Sequence, residues 1–455
     1  MGLEVIILAA GKGTRMNSDL PKVLHKVAGK ALLGHVIDCA KLLMPDSIHV
    51  VIGQGSQLVK NTFSEENINW CIQEEQLGTG HAVQQALPNI EDQQNVLVLY
   101  GDVPLLKSNI LKLLIDDLAN NQLTLLSAKL NDPTGYGRIV RHNNKVRRIV
   151  EQKDADEETL SISEINSGIL ACNAAKLKHW LSQTNDNNAQ QEYYLTDCIE
   201  IAVNEKENVE AIICASEEEI LGINNKLQLA QVERIIQVQF AEKLMANGVT
   251  LADPARIDVR GQLETGKDVE IDINSVFIGE NILGDNVIVG ANAVIINSQI
   301  STGTRIHANC HIENAVIGKQ CELGPFARIR PETVLEEKVK VGNFVEIKKA
   351  NINSRSKINH LSYIGDSDLG QNVNIGAGTI TCNYDGANKH HTSIGDNVFV
   401  GSDTQFIAPV TVGDGATVGA GSTISKDVPK NKLTLSRSKQ ISIDSWKRPE
   451  KASKK

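Results

Sequence analysis

The sequence predicts two domains of different class, an α/β domain followed by a parallel β-helix. Three observations carry this. The chain has 455 residues, more than one hydrophobic core ordinarily organises. Its first half alternates short apolar runs with helical stretches, the pattern of a parallel sheet covered by helices. Its second half repeats an aliphatic or aromatic residue every six positions, the signature of stacked coils that each point one side chain inward.

In the first half, Val5–Leu8, Ile48–Ile52, Val96–Tyr100 and Leu123–Leu126 are the predicted strands. The first runs into "AGKGTRM", a glycine turn carrying Lys12 and Arg15. Bare amides there, with a following helix N-terminus, can receive phosphate oxygens; an ordinary strand-to-helix turn is the other reading. Gly11-x-Gly13 lacks the third glycine of a dinucleotide fingerprint and does not match a Walker loop. Asp102, in "VLVLYGDVPLL", directly follows a strand, where α/β sheets open their ligand crevice. An aspartate there suits Mg²⁺, which takes few carboxylates and keeps substrate phosphates as ligands, or it merely ends the strand. Leu229, Val232, Ile236, Phe240 and Leu244 predict a helix ending at Asn247-Gly248, either linking the domains or packing on the first.

Beyond Asp253, Leu323, Ile329, Leu335, Val341 and Ile347 keep the six-residue step, as do Val400, Phe406, Val412, Val418 and Ile424. The step breaks at "TCNYDGANKHHTS", Thr381 to Ser393, which predicts a loop thrown off the coil and of functional use. After Lys430 the tail is basic and loses the step; it is expected to fold back or wrap a neighbour. His307, Cys310, His311 and Cys321 are zinc-type ligands, but a coil repeat spreads them over several faces and no tetrahedral site is expected.

Forty-six Lys+Arg against 55 Asp+Glu give a formal charge of −9, so no broad basic footprint serves nucleic acid or anionic lipid. The eight scattered cysteines contain no C-x-x-C pair and fit reduced thiols in a cytoplasm. Neither a leader-like start nor a membrane-length apolar run is read. A cytoplasmic protein with small-molecule substrates, without nucleic acid and without membrane insertion, is expected.

Leu8-Ala9-Ala10-Gly11-x-Gly13-Thr14-Arg15-Met16, followed by Pro21-Lys22, resembles the signature of sugar-1-phosphate nucleotidylyltransferases. "INHLSYIGD" with "IGAGTITCNYDG" resembles the acetyltransferase half of the bifunctional bacterial enzymes that make UDP-N-acetylglucosamine, and that likeness runs nearly end to end. It implies a Rossmann-like uridylyltransferase domain over residues 1–226, a linker helix over 227–248, and a left-handed β-helix acetyltransferase domain with its tail over 249–455. It places UTP and UDP-N-acetylglucosamine against Leu8, Ala9, Ala10, Gly11 and Gly13, with Arg15 and Lys22 at the reacting phosphates. Gln73, Gly78 and Thr79 fall at the uracil, Gly101 and Asp102 at the strand end, Gly137, Glu151 and Asn166 at the sugar. Asp102 and Asn224 become the Mg²⁺ ligands.

In the second half the resemblance makes His360 the general base that takes a proton from the amine of glucosamine 1-phosphate as it attacks acetyl-CoA. An imidazole suits this because it titrates near working pH. Arg330 and Lys348 grip the sugar phosphate, Tyr363 and Asn374 orient the sugar, and Ala377, Asn383, Tyr384, Ser402, Ala420 and Arg437 line acetyl-CoA. The N-acetylglucosamine 1-phosphate so formed joins UTP with loss of pyrophosphate, and its product feeds cell-envelope polysaccharide. The family closes its sites between subunits, so a homotrimer is implied. Two other readings stand beside this one: a monofunctional nucleotidylyltransferase with a β-helix scaffold, and a non-catalytic sugar-nucleotide-binding regulator.

Overall fold

A computed structural model describes residues 2–449. The chain divides into two compact units after Gln239, inside a helix that runs Lys226–Ala246.

The first unit is built on a nine-stranded sheet: β1 Leu3–Ala9, β2 Ser47–Ile52, β3 Asn69–Ile72, β4 Asn95–Tyr100, β5 Leu123–Lys129, β6 Arg138–His142, β7 Lys145–Val150, β8 Glu164–Asn173 and β9 Val209–Ile213. The order is β9-β5-β8-β4-β1-β2-β3, with β6 attached to β8 and β7 paired to β6. Because side chains alternate across a strand, Val5 and Ile7 enter one core with Leu33, Val36 and Ile37 of the helix Leu32–Lys41. Ile6 and Leu8 enter the opposite core with Val83 and Ala86 of the helix Thr79–Ala86. Two covered faces explain why β1 is apolar at consecutive positions.

The sheet is not wholly parallel. β8 runs antiparallel to both β4 and β5, and the sequence expectation missed it because "EINSGILACN" interrupts its apolar run with a polar Asn-Ser-Gly. β1 lies between β4 and β2, parallel to both, so chain order reverses at β1 and a crevice opens beyond the carboxyl ends of β1 and β4. There the Gly101 amide donates to the Leu8 carbonyl at 2.9 Å, which seats Asp102 beside the glycine turn.

The second unit is a stack of parallel coils with three inward columns of apolar side chains. One runs Ile271, Val289, Ile306, Leu323, Val341, Ile358, Ile375, Val400 and Val418. Another runs Phe277, Ile295, Ile312, Ile329, Ile347 and Ile364. The third runs Leu283, Ile300, Ile317, Leu335, Ile352, Leu369, Ile394 and Val412. Register partners such as Ile312 and Ile329, or Ile329 and Ile347, are 17 or 18 residues apart, which is three six-residue steps per coil. Ile375 pairs with Val400, a step of 25, so the inserted loop adds length without breaking the stack. The second column is interrupted at Thr381, whose buried hydroxyl accepts from the Gly365 amide at 2.8 Å and donates back to the Gly365 carbonyl at 3.1 Å.

The coils extend past the point where the six-residue step fades. Leu433–Thr434 still pairs with Thr417–Val418, because backbone hydrogen bonds hold a rung whose side chains are exposed or half-buried. Residues 435–449 carry no strand, and Ile441, Ile443 and Trp446 are exposed.

Ile347 is fully buried between Ile329 and Ile364. Ile347→Ala is expected to destabilise the β-helix by about 2–5 kcal/mol through lost burial and a residual cavity, read as a lowered denaturant midpoint of that unit.

Candidate active sites

The crevice in the first unit is a cavity of about 530 Å³ lined by Leu8, Ala9, Ala10, Gly11, Lys22, Gln73, Gly78, Thr79, Asp102 and Asn224 among others. The turn after β1 can close over it because Gly13 takes a left-handed φ of 61°, and a Cβ there would lie 2.8 Å from the Lys22 Cβ. Gly78 is similarly constrained: its φ is 113° and a Cβ would come within 2.5 Å of the Tyr193 carbonyl. Neither position accepts a side chain without backbone movement.

At the mouth of this cavity the charged groups converge. The Lys22 ammonium is hydrogen-bonded to the Asp102 carboxylate and lies 3.3 Å from the Asn224 side-chain oxygen. The Arg15 guanidinium donates to that same oxygen at 2.9 Å. Two hard oxygen donors meeting on one cation form the kind of set Mg²⁺ takes, so these residues fit that ion. Among the described residues no group of three or more His, Cys, Asp or Glu is placed to hold a metal. A divalent ion here would draw its other ligands from water and substrate phosphates.

The base-contacting and sugar-contacting candidates are held by their own network. Gln73 is buried, and its amide donates to the Gly78 carbonyl at 3.1 Å. The Thr79 hydroxyl accepts from the Leu195 amide at 3.1 Å. Gly137 and Asn166 are joined by a 2.8 Å backbone bond from the Asn166 amide, and the Asn166 side chain caps the Gly168 amide at 3.0 Å. Glu151 packs against Gly137 and accepts from the Thr196 hydroxyl at 3.1 Å. Burial, chiefly, pushes its carboxyl above the usual range.

In the second unit, His360 is exposed at the end of the strand Lys357–His360, just before a corner formed by Leu361 and Ser362. Asn343, on the preceding coil and in register with it, faces the ring Nδ1 through its side-chain oxygen at 3.1 Å. That acceptor puts the proton on Nδ1 and leaves Nε2 as the basic nitrogen. Tyr363 begins the next strand beyond the corner. Arg330 is ion-paired to Glu346 at 2.7 Å.

The inserted loop folds as a small hairpin with a Tyr384–Lys389 bridge, and the Asp385 carboxylate caps the Ala387 and Asn388 amides and pairs with His390 at 2.7 Å. This carries Lys389 onto Lys348. Their contact lowers the Lys348 ammonium pKa and raises that of Lys389, with the Arg330 charge disfavouring both ammonium ions. Three cations crowded together are a ready anion site. Asn383 lies below, within 3.4 Å of the Tyr363 hydroxyl.

The remaining candidates lie on neighbouring coils. Asn374 pairs with exposed Phe399, the Asp403 amide donates to the Ala377 carbonyl, and the Gly421 amide donates to the Ser402 carbonyl. Arg437 donates to the Ala420 carbonyl at 3.0 Å. Arg330, Lys348, Tyr363 and Asn383 are thus brought together, while Ser402, Ala420 and Arg437 form a separate exposed group. Three of the four zinc-type residues have other partners: His307 pairs with Glu322, Cys310 is buried against the Leu323 carbonyl, and Cys321 donates to the Glu336 carbonyl, while the buried His311 Nε2 has no hydrogen-bond partner among the described residues.

Comparison with known proteins decides the family. Residues 5–157 match the MobA-like NTP transferase domain, 259–360 the GMPPB C-terminal domain, and 391–426 the bacterial transferase hexapeptide with six repeats. The protein called bifunctional protein GlmU from Marinobacter nauticus is 54% identical over 451 residues, covering 99% of this chain and 99% of that one. The chain belongs to the GlmU family. GlmU proteins of Cupriavidus pinatubonensis and Janthinobacterium are each 53% identical over 99% of this chain and 100% of their own length. The GlmU likeness, with its hexapeptide repeats, makes the coils a left-handed parallel β-helix and the first unit a Rossmann-like nucleotidyltransferase fold. Among the described residues no helix is long and apolar enough to cross a membrane.

Sequence reasoning overlooked Lys389 and Asn343, and on the first unit Tyr100, Tyr136 and Ser167 in the cavity wall. Lys389 was within sight, being the one basic residue of "NYDGANK" in the loop already singled out. Asn343 carried no signal: it meets His360 only through coil register, 17 positions away.

Proposed function

We propose that the chain is a two-site enzyme: its β-helix acetylates glucosamine 1-phosphate with acetyl-CoA, and its first unit couples the N-acetylglucosamine 1-phosphate formed to UTP, giving UDP-N-acetylglucosamine and pyrophosphate. The observation that carries this reading is the GlmU likeness over 99% of the chain, which spans both units. Residues 1–226 form the uridylyltransferase domain, 227–248 the linker helix, and 249–455 the acetyltransferase domain with its tail. The enzyme acts in the cytoplasm as a homotrimer.

In the first site, backbone amides of Gly11 and Gly13 with Arg15 and Lys22 receive the triphosphate, while Gln73, Gly78 and Thr79 hold the uracil. Gly137, Glu151 and Asn166 hold the sugar. Asp102 and Asn224 hold Mg²⁺, which supplies charge to offset the phosphates. The sugar phosphate oxygen attacks the α-phosphorus in line and pyrophosphate departs, so alignment and electrostatics replace any protein nucleophile.

In the second site, Arg330, Lys348 and Lys389 bind the sugar phosphate, and Tyr363 and Asn374 orient the ring. The amine nitrogen attacks the thioester carbon, His360 Nε2 takes its proton, and the carbon–sulfur bond breaks to release coenzyme A. Ala377, Tyr384, Ser402, Ala420 and Arg437 line acetyl-CoA. Lys389→Ala is expected to raise the KM for glucosamine 1-phosphate about 10-fold or more, the loss of one charge-assisted hydrogen bond, with uridylyl transfer unchanged.

Two assays test the reading: thiol release from acetyl-CoA and glucosamine 1-phosphate without UTP, and pyrophosphate release from UTP and N-acetylglucosamine 1-phosphate without acetyl-CoA. Both should proceed. Pyrophosphate release without thiol release would reduce the β-helix to a scaffold.

A further inference from the structure

Asp366 is a buried acid with a left-handed φ of 48°, lying beneath the cationic cluster of the acetyltransferase site. Its Oδ2 accepts a hydrogen bond from the Asn383 side-chain nitrogen, and that nitrogen also reaches the Tyr363 hydroxyl at 3.4 Å. The Asn383 backbone is fixed as well: its amide donates to the Thr381 carbonyl at 3.0 Å, and its carbonyl accepts from the His390 amide at 2.7 Å.

An ionised carboxylate only accepts hydrogen bonds. It therefore dictates which end of the Asn383 carboxamide faces it: the NH₂ turns down to Asp366, and Oδ1 must face away. Among the described residues no donor from the chain reaches that Oδ1, and Asn383 lies in the same cluster as Lys348 and Lys389. The half-exposed Tyr363 hydroxyl, already accepting from Asn383, keeps its proton free to donate outward. The result is a polarised array, one acceptor beside one donor, whose polarity is fixed from below by a single buried charge.

We propose that Asp366 is a positioning residue, which holds the Asn383 oxygen toward the amine of glucosamine 1-phosphate so that it accepts an N–H there. The inference rests on the acetyltransferase reading above. When the amine nitrogen bonds to the thioester carbon it gains positive charge before its proton passes to His360. A hydrogen-bond acceptor on its N–H strengthens at that moment, and a flipped Asn383 would present NH₂ and oppose the same charge. Asp366 also faces the cations Lys348 and Lys389, so removing its charge should favour anion binding while harming the acyl-transfer step. A merely structural residue would not split the two.

The test is steady-state acetyl transfer by the full chain carrying Asp366→Asn, with inorganic phosphate as a competing ligand. An asparagine at 366 can donate as well as accept, so it frees Asn383 to flip. The expected result is kcat lower by about 10-fold or more, as for loss of a preorganised hydrogen bond, with phosphate inhibition unchanged or tighter. The exchanged pair Asp366→Asn with Asn383→Asp restores the hydrogen bond and an outward oxygen, and should recover at least half of the lost activity on a logarithmic scale. A kcat within twofold of wild type in Asp366→Asn, weaker phosphate inhibition in step with kcat, or no recovery in a folded exchanged pair would each overturn the assignment. Wild-type protein that releases no thiol would overturn instead the acetyltransferase reading beneath it.

Discussion

His360→Ala is expected to lower thiol release from acetyl-CoA and glucosamine 1-phosphate by about 10²- to 10⁴-fold, the range for loss of a positioned general base. Uridylyl transfer by the same variant should be unchanged. The expectation follows from geometry in one unit: Asn343 sets the imidazole tautomer, and the ring is exposed at a coil corner beside Tyr363. An alanine there removes no core volume, because the inward neighbours Ile358 and Ile364 are untouched. The fold of the β-helix should therefore survive, checked by an unchanged denaturant midpoint. Thiol release within threefold of wild type would remove His360 from the chemistry.

Lys22→Ala is expected to cost uridylyl transfer about 10²- to 10³-fold, the size measured for loss of one preorganised charge-stabilising donor. Its ammonium is the one that meets both Asp102 and Asn224. Its loss should fall mainly on kcat, because charge builds on the departing pyrophosphate during the reaction more than on bound UTP. Acetyl transfer, carried by the other unit, should not change. If Lys22→Ala raised only the KM for UTP, the residue would serve ground-state binding and not the reacting phosphates.

How much of this was legible beforehand depended on whether the signal was local. The six-residue step at Ile329, Leu335 and Val341 is local, and it specified the coils, the inward columns and even the place where the inserted loop leaves them. The strands around Val5–Leu8 and Val96–Tyr100 were equally plain because a doubly covered sheet demands uninterrupted apolar residues. β8 was not, since its Asn166-Ser167-Gly168 stretch is polar where it passes the site and a register shift interrupts its ladder with β5.

The sites divide the same way. The glycine turn with Arg15 and Lys22 is compact in sequence, and Asp102, 80 positions from Lys22, was marked by its own place just past a strand. Asn343 on His360 and Asp366 under Asn383 are pairings between coils, each separated by 17 positions, while Lys389 reaches Lys348, 41 positions away, through the inserted hairpin. Register along the stack creates the two coil pairings, and register is set by the whole column of buried residues rather than by any one of the pair. No short motif encodes such a contact.

The central claim is that the two sites work independently of each other and are joined by a released intermediate. It is tested most directly by mixing. Each of the His360→Ala and Lys22→Ala variants alone, given glucosamine 1-phosphate, acetyl-CoA and UTP, should form almost no UDP-N-acetylglucosamine. An equal mixture of the two should form it readily, after a lag while N-acetylglucosamine 1-phosphate accumulates. A mixture as silent as either variant, although each retains its own half-reaction, would contradict the claim.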